Sequence, residues 1–152
     1  MNEIAAKAGM SIRKSAERVF EAFIDPAVTT RFWFTKSSGR LEQGETVRWT
    51  WEMYGLSTEV RVLEIEKERR LLVEWSHYGT SRIEWIFTPR GPDETFVSVR
   101  NWGFKGPADE QWEAALGSTE GFALMLAGLK AWLEHGIALN LVYDRFPEAR
   151  VA

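Results

Sequence analysis

Between Thr46 and Asn101 apolar and polar residues alternate with period two, and on both sides of that stretch the period becomes helical. Val47, Trp49, Trp51 and Met53 share one face, with Arg48, Thr50 and Glu52 on the other, and Tyr54-Gly55 forms a turn. Over 58–66 Val60 and Val62 oppose Glu59 and Arg61, and Glu66-Lys67-Glu68-Arg69 is polar enough to be a hairpin connection. Leu71, Val73 and Trp75 follow opposite Glu74, then a His77-Tyr78-Gly79 turn. Ile83, Trp85 and Phe87 oppose Arg82 and Glu84, and Arg90-Gly91-Pro92-Asp93 leads to a last strand, 95–101, with Val97 and Val99 inward. Half-apolar strands with tight connections predict an antiparallel meander with one face in water.

The apolar face needs a cover. Residues 8–14 read as an opening strand with Met10 and Ile12 on one side. Ser15 caps a helix over 16–24 whose Val19, Phe20 and Phe23 face inward. Asp25-Pro26 stops that helix and starts another short one, which ends in Arg31-Phe32-Trp33-Phe34. The main cover is a helix over 118–135, with Phe122, Met125, Leu126, Leu129, Trp132 and Leu133 at helical spacing, Ser118 as its cap and Gly136 as its end. Residues 109–116 read as a separate turn or two, with a break at Gly117. The expectation is one α+β domain spanning 1–152, with a long helix across a curved sheet and a hollow between them.

Three runs, VFEAFIDPAVTTRFWF, RWTWEMYG and STEGFALMLAGLKAWLEHG, resemble the activator-of-heat-shock-protein-ATPase homologue-like (AHSA-type) family. That family belongs to the START-related, birch-pollen-allergen-like helix-grip (SRPBCC) superfamily, and the resemblance covers about residues 12–147. It implies a curved antiparallel sheet gripping a long C-terminal helix, and a cavity for an apolar or amphipathic molecule. Superfamily members include lipid carriers, hormone receptors and aromatic-polyketide cyclases. The positions matching the pattern are fold-level ones, among them Phe20, Phe23, Asp25, Pro26, Gly121 and Lys130. The family has no shared catalytic motif, so no catalytic residue is carried over. Ala5, Ala6 and Ala8 are weak strand formers, which leaves the start of the first strand open.

Composition sharpens this picture. Eight tryptophans and nine phenylalanines in 152 residues are more large aromatic surface than folding requires, which favours a cavity wall. Absence of cysteine excludes disulfides and thiolate zinc sites. Two histidines about sixty positions apart give no metal constellation, and no Gly-rich phosphate loop or other cofactor motif is present. A net charge of −3 with intermixed signs argues against a nucleic-acid partner. No apolar run is long enough for a membrane span or a secretory signal, so the expected location is cytoplasmic.

The candidate cavity residues are Trp33, Trp49, Trp51, Trp75, His77, Trp85, Phe87, Asn101, Phe122, Met125 and Leu129. Inward aromatics are first of all core, and the excess of rings is what adds the second reading. His77 continues the inward parity of Trp75; it is either a solvated turn residue or the best general base in the chain. Asn101 and Thr95 share an inward face and either satisfy backbone groups or meet a ligand, while His135 suits a helix C-terminus. The function expected is small-molecule binding without a cofactor. Its rivals are a cyclase-type enzyme using the same space and a chaperone-associated interaction module of the stress-response kind. The latter would act through the charged sheet face of Arg48, Glu52, Glu59, Arg61, Arg82, Glu84 and Arg100. Leu124 and 137–143 serve either the core or a homodimer contact.

Overall fold

The computed structural model describes residues 3–76 and 79–151. In chain order it contains β1 (Ala5–Ile12), α1 (Ala16–Ile24), α2 (Pro26–Thr29), β2 (Lys36–Ser37), β3 (Thr46–Trp51), β4 (Leu56–Glu66), β5 (Arg70–Trp75), β6 (Ser81–Pro89) and β7 (Thr95–Trp102). The long α3 (Ala108–His135) and the short α4 (Leu141–Arg145) follow, with 3-10 turns at Glu52–Tyr54 and Pro147–Ala149. The strands form one antiparallel sheet in the order β1-β7-β6-β5-β4-β3-β2. This is the helix-grip α+β layout. Register aligns Val47 with Val60, Val60 with Trp75, Val73 with Ile83 and Trp85 with Val99, so the apolar positions form continuous inward rows.

The local signals at 15–26 act as their chemistry dictates. The Ser15 side chain accepts from Arg18 N at 3.3 Å, and Asp25 Oδ1 accepts from Ala27 N at 2.9 Å with Pro26 opening α2. Gly136 ends α3 with φ 66°, the left-handed geometry that glycine adopts without strain. Both sheet edges are blunted. Along β1, side chains of α3 take up edge groups: Lys7 N donates to Thr119 Oγ1, Lys130 Nζ donates to Ser11 O, and just past the strand Arg13 N donates to Glu134 Oε2. At the far edge β2 is only two residues long.

Three expectations need correction. β1 begins at Ala5 rather than Ala8, because pairing with β7 from Ala5 opposite Trp102 to Ile12 opposite Thr95 outweighs the weak propensity of its alanines. Glu52 and Met53 leave the sheet, since the chain turns into a 3-10 segment directly after Trp51. The C-terminal helix is also continuous from Ala108. Gly117 costs about 1 kcal/mol relative to alanine in a helix interior. Buried Ala114 and Ala115 before it and buried Ser118 and Phe122 after it anchor both flanks. Ser118 is therefore not a cap but lies mid-helix.

Candidate functional site

The inward face of the sheet is not covered uniformly. Phe20 and Phe23 of α1 press onto β6, with ring centroids 5.4 and 5.9 Å from Phe87, and Phe23 lies 5.6 Å from Trp85. Met125, Leu126 and Leu129 of α3 are fully buried in the same core. Where this packing stops, a cavity of about 260 Å³ remains. Trp33, Trp51, Trp75 and Phe122 form its aromatic wall, and Gly117, Ser118, Gly121 and Leu124 present it from α3. A Cβ built on Gly121 meets nothing within 4 Å, so this glycine leaves room on the helix where a side chain would stand.

Trp49 and Trp51 share a strand face yet differ in role. Trp49 is 2% exposed, stacks on Phe34 at 4.9 Å and 17°, and lies 4.9 Å from Trp33. Trp51 is the last residue of β3, where the chain turns away from the sheet, and its ring borders the cavity, 5.9 Å from Trp33 and 6.5 Å from Trp75. Trp49 is packed core beneath the wall that Trp51 helps to form.

The outer wall comes from the segment after α3. Val142, Arg145, Phe146 and Ala149 line the cavity, yet neither α4 nor the following 3-10 turn contains a buried residue. Tyr54 clasps this strap: its hydroxyl donates to the carbonyls of Val142 and Tyr143 and accepts from Phe146 N. Val151 N donates to Met53 O at 2.8 Å. At the rim Arg145 Nε donates to Glu120 Oε1 at 2.5 Å, which holds the guanidinium above its ordinary value. Val142 and Trp33 also border a second hollow of about 120 Å³, which Leu139, Asn140 and Tyr143 help to line.

Behind the wall lies a buried polar knot. Ser81 Oγ accepts from Trp75 Nε1 at 3.1 Å and from Asn101 Nδ2 at 2.9 Å, and Asn101 Nδ2 also donates to Arg82 O at 2.7 Å. These bonds fix the Trp75 indole. Among the described residues, three buried side-chain atoms have no hydrogen-bond partner: Asn101 Oδ1, Trp85 Nε1 and Ser118 Oγ.

Of the sequence candidates, Trp33, Trp51, Trp75 and Phe122 meet on the cavity wall. Trp49, Trp85, Phe87, Asn101, Met125 and Leu129 are buried away from it, and Thr95 is spent on Lys14 O at 2.9 Å. His77 lies outside the described residues. Sequence reasoning missed Tyr54, Ser118, Glu120, Arg145 and Phe146 as wall residues. The available signal was Gly117 and Gly121, four apart and therefore on one helix face, with Ser118 between them. Leu124 and Val142, read as core or dimer positions, also border the cavity. On the outer sheet face Arg48 pairs with Glu59 at 3.3 Å, Arg82 with Glu74 at 3.7 Å and Arg70 with Glu84 at 2.6 Å, while Arg100 covers Trp102 at 4.7 Å. Glu52 has left that face for the 3-10 turn. Among the described residues no group of three or more His, Cys, Asp or Glu side chains is placed to hold a metal ion, and no helix is long and apolar enough to cross a membrane.

Residues 13–134 match the family model described as activator of Hsp90 ATPase homolog 1-like protein. The chain belongs to this family. Among solved structures, the AHSA1-like fold is shared with the protein SSP2350 from Staphylococcus saprophyticus at 30% identity and TM-score 0.75, over 89% of this chain and 95% of that one. The Aha1 dimer from Colwellia psychrerythraea is 17% identical at TM-score 0.74, over 88% of this chain and 98% of that one. DynU16, a putative protein in the dynemicin biosynthetic locus, is 21% identical at TM-score 0.77; the match covers 90% of this chain but only 49% of DynU16. No curated protein matches the chain.

Proposed function

We propose that this AHSA1-family protein binds one small apolar or amphipathic molecule between the sheet and α3. The observation that carries the reading is the 260 Å³ aromatic-walled cavity facing a glycine-relieved helix. Pockets of this type are lined mainly by apolar and aromatic side chains with few polar groups, and larger ligands occupy about 300–1,000 Å³. An apolar cavity of about 150 Å³ takes up benzene. This one therefore suits a two-ring aromatic or a short alkyl chain, and is too small for a two-chain lipid.

Binding without turnover is favoured, because the titratable groups on the described wall are already engaged. Tyr54 holds the strap, and Glu120 and Arg145 hold each other. The outer sheet face supports the same preference over a chaperone-docking role, since most of its arginines are matched by neighbouring carboxylates. The test is a tryptophan-fluorescence titration of the protein and of Gly121→Leu with naphthalene. Saturable quenching in the parent, lost in the variant, is expected. Quenching that is unsaturable, or the same in both proteins, would exclude the cavity as the site.

A further inference from the structure

Ser118 sits where folding has no use for a hydroxyl. It lies mid-helix in α3, is 6% exposed and borders the cavity, and its Oγ is buried without a hydrogen-bond partner. A serine inside a helix ordinarily bonds back to the carbonyl four residues earlier or points to water. Ser118 does neither. Alanine would be the better helix former here and would remove the orphaned group.

Of the other polar side chains on the described wall, the Tyr54 hydroxyl is committed to the strap carbonyls, Trp75 Nε1 to Ser81 and Glu120 to Arg145. The indole N–H groups of Trp33 and Trp51 also border the cavity but can only donate, whereas a serine hydroxyl both donates and accepts. The serine hydroxyl is covered by its surroundings rather than open on the cavity, so receiving a ligand requires it to turn to another χ1 well. The remainder of the deep wall consists of ring faces and edges from Trp33, Trp51, Trp75 and Phe122, with Trp33 meeting Trp51 at 75° and Phe122 at 73°. Such a wall rewards a planar partner, through offset and edge-to-face contacts that an alkyl chain cannot make.

We infer that the ligand is a planar two-ring aromatic bearing a hydrogen-bonding oxygen, and that the Ser118 hydroxyl receives that oxygen. This rests on the reading of the cavity as a ligand site and adds to it the ligand's chemistry and the residue that selects it.

The test compares naphthalene with 2-naphthol, identical in ring area and different by one hydroxyl, on the parent protein, Ser118→Ala and Ser118→Cys. Affinities come from tryptophan-fluorescence titration, and thermal unfolding verifies that each variant folds. A net hydrogen bond makes 2-naphthol bind the parent about 2- to 10-fold more tightly than naphthalene. In Ser118→Ala that preference is expected to vanish or reverse, while naphthalene affinity stays within about threefold. Ser118→Cys keeps the size with a weaker donor and should fall between. An unchanged 2-naphthol to naphthalene ratio in Ser118→Ala would overturn the role of Ser118 and leave the cavity as a ligand site. Failure of the parent to bind either compound would overturn the cavity reading itself.

Discussion

Two glycines seven residues apart on α3 should respond to enlargement with opposite signs. A Cβ at Gly121 meets nothing within 4 Å, whereas one at Gly128 would lie 3.1 Å from Phe32 Cβ and 3.2 Å from Phe32 O. Gly121→Leu gains about 0.7 kcal/mol of helix propensity. Its side chain also buries apolar carbon against the Trp51, Trp75 and Phe122 wall, at about 0.8 kcal/mol per fully covered methylene. With coverage incomplete, a net gain of about 2 kcal/mol is reasonable, which for a chain of this size raises Tm by about 4–8 °C. At roughly 30 Å³ per carbon-sized group, the four added carbons leave less than the ~150 Å³ that benzene needs. Binding of a two-ring probe should then weaken more than about tenfold, as closing an apolar site removes the burial that drives it. Gly128→Ala should instead cost about 1–3 kcal/mol, because helix and Phe32 backbone must separate. Thermal unfolding and a naphthalene titration on both variants decide the matter. A lower Tm for Gly121→Leu would mean that the space beside Gly121 is packed core, and the cavity argument would fail.

Removing the Tyr54 hydroxyl with Tyr54→Phe frees two carbonyls and one N–H of the strap. Hydrogen exchange over 141–151 should accelerate, with a global cost of about 1 kcal/mol; unchanged protection would show that the clasp is not what holds the strap. Ser81→Ala removes the hydroxyl that accepts from the Trp75 indole N–H and from the Asn101 amide, and chemical denaturation should show a loss of about 1–3 kcal/mol for the two bonds. Burial alone would push the Glu134 carboxyl up, but hydrogen bonds from Arg13 N and Lys130 Nζ outweigh it, and the group sits below its ordinary value. A depressed folded-state pKa contributes stability above the unfolded-state pKa and loses it as pH falls through the folded one. Glu134→Gln should therefore cost about 1–2 kcal/mol at neutral pH, with the gap closing on acidification below the ordinary carboxylate range; a gap independent of pH would refute the assignment.

The period-two pattern and the caps at Ser15, Asp25 and Gly136 made the layout legible, because each depends on neighbours within a few residues. The exceptions are instructive. β1 extends through alanines because β7 supplies its partners, and α3 crosses Gly117 because both flanks are anchored in the core. Parity along β3 put Trp49 and Trp51 on one face but could not separate them. Trp49 is covered by Phe34 and Trp33 from a distant segment, while Trp51 ends its strand at the turn beside the cavity. The same limit hid the strap. Val142 and Phe146 lie more than eighty positions from Tyr54 in sequence and are tied to its hydroxyl by hydrogen bonds, while Arg145 is held by Glu120 of α3. Ser118 looked like a cap by residue type alone, and only the continuous helix revealed it as a buried hydroxyl beside a hollow.

Native mass spectrometry of the protein and of Gly121→Leu, each mixed with 2-naphthol, tests the binding cavity most directly. A one-to-one adduct on the parent that is absent from the variant is expected. No adduct on the parent, or equal adducts on both, would contradict a ligand site between the sheet and α3.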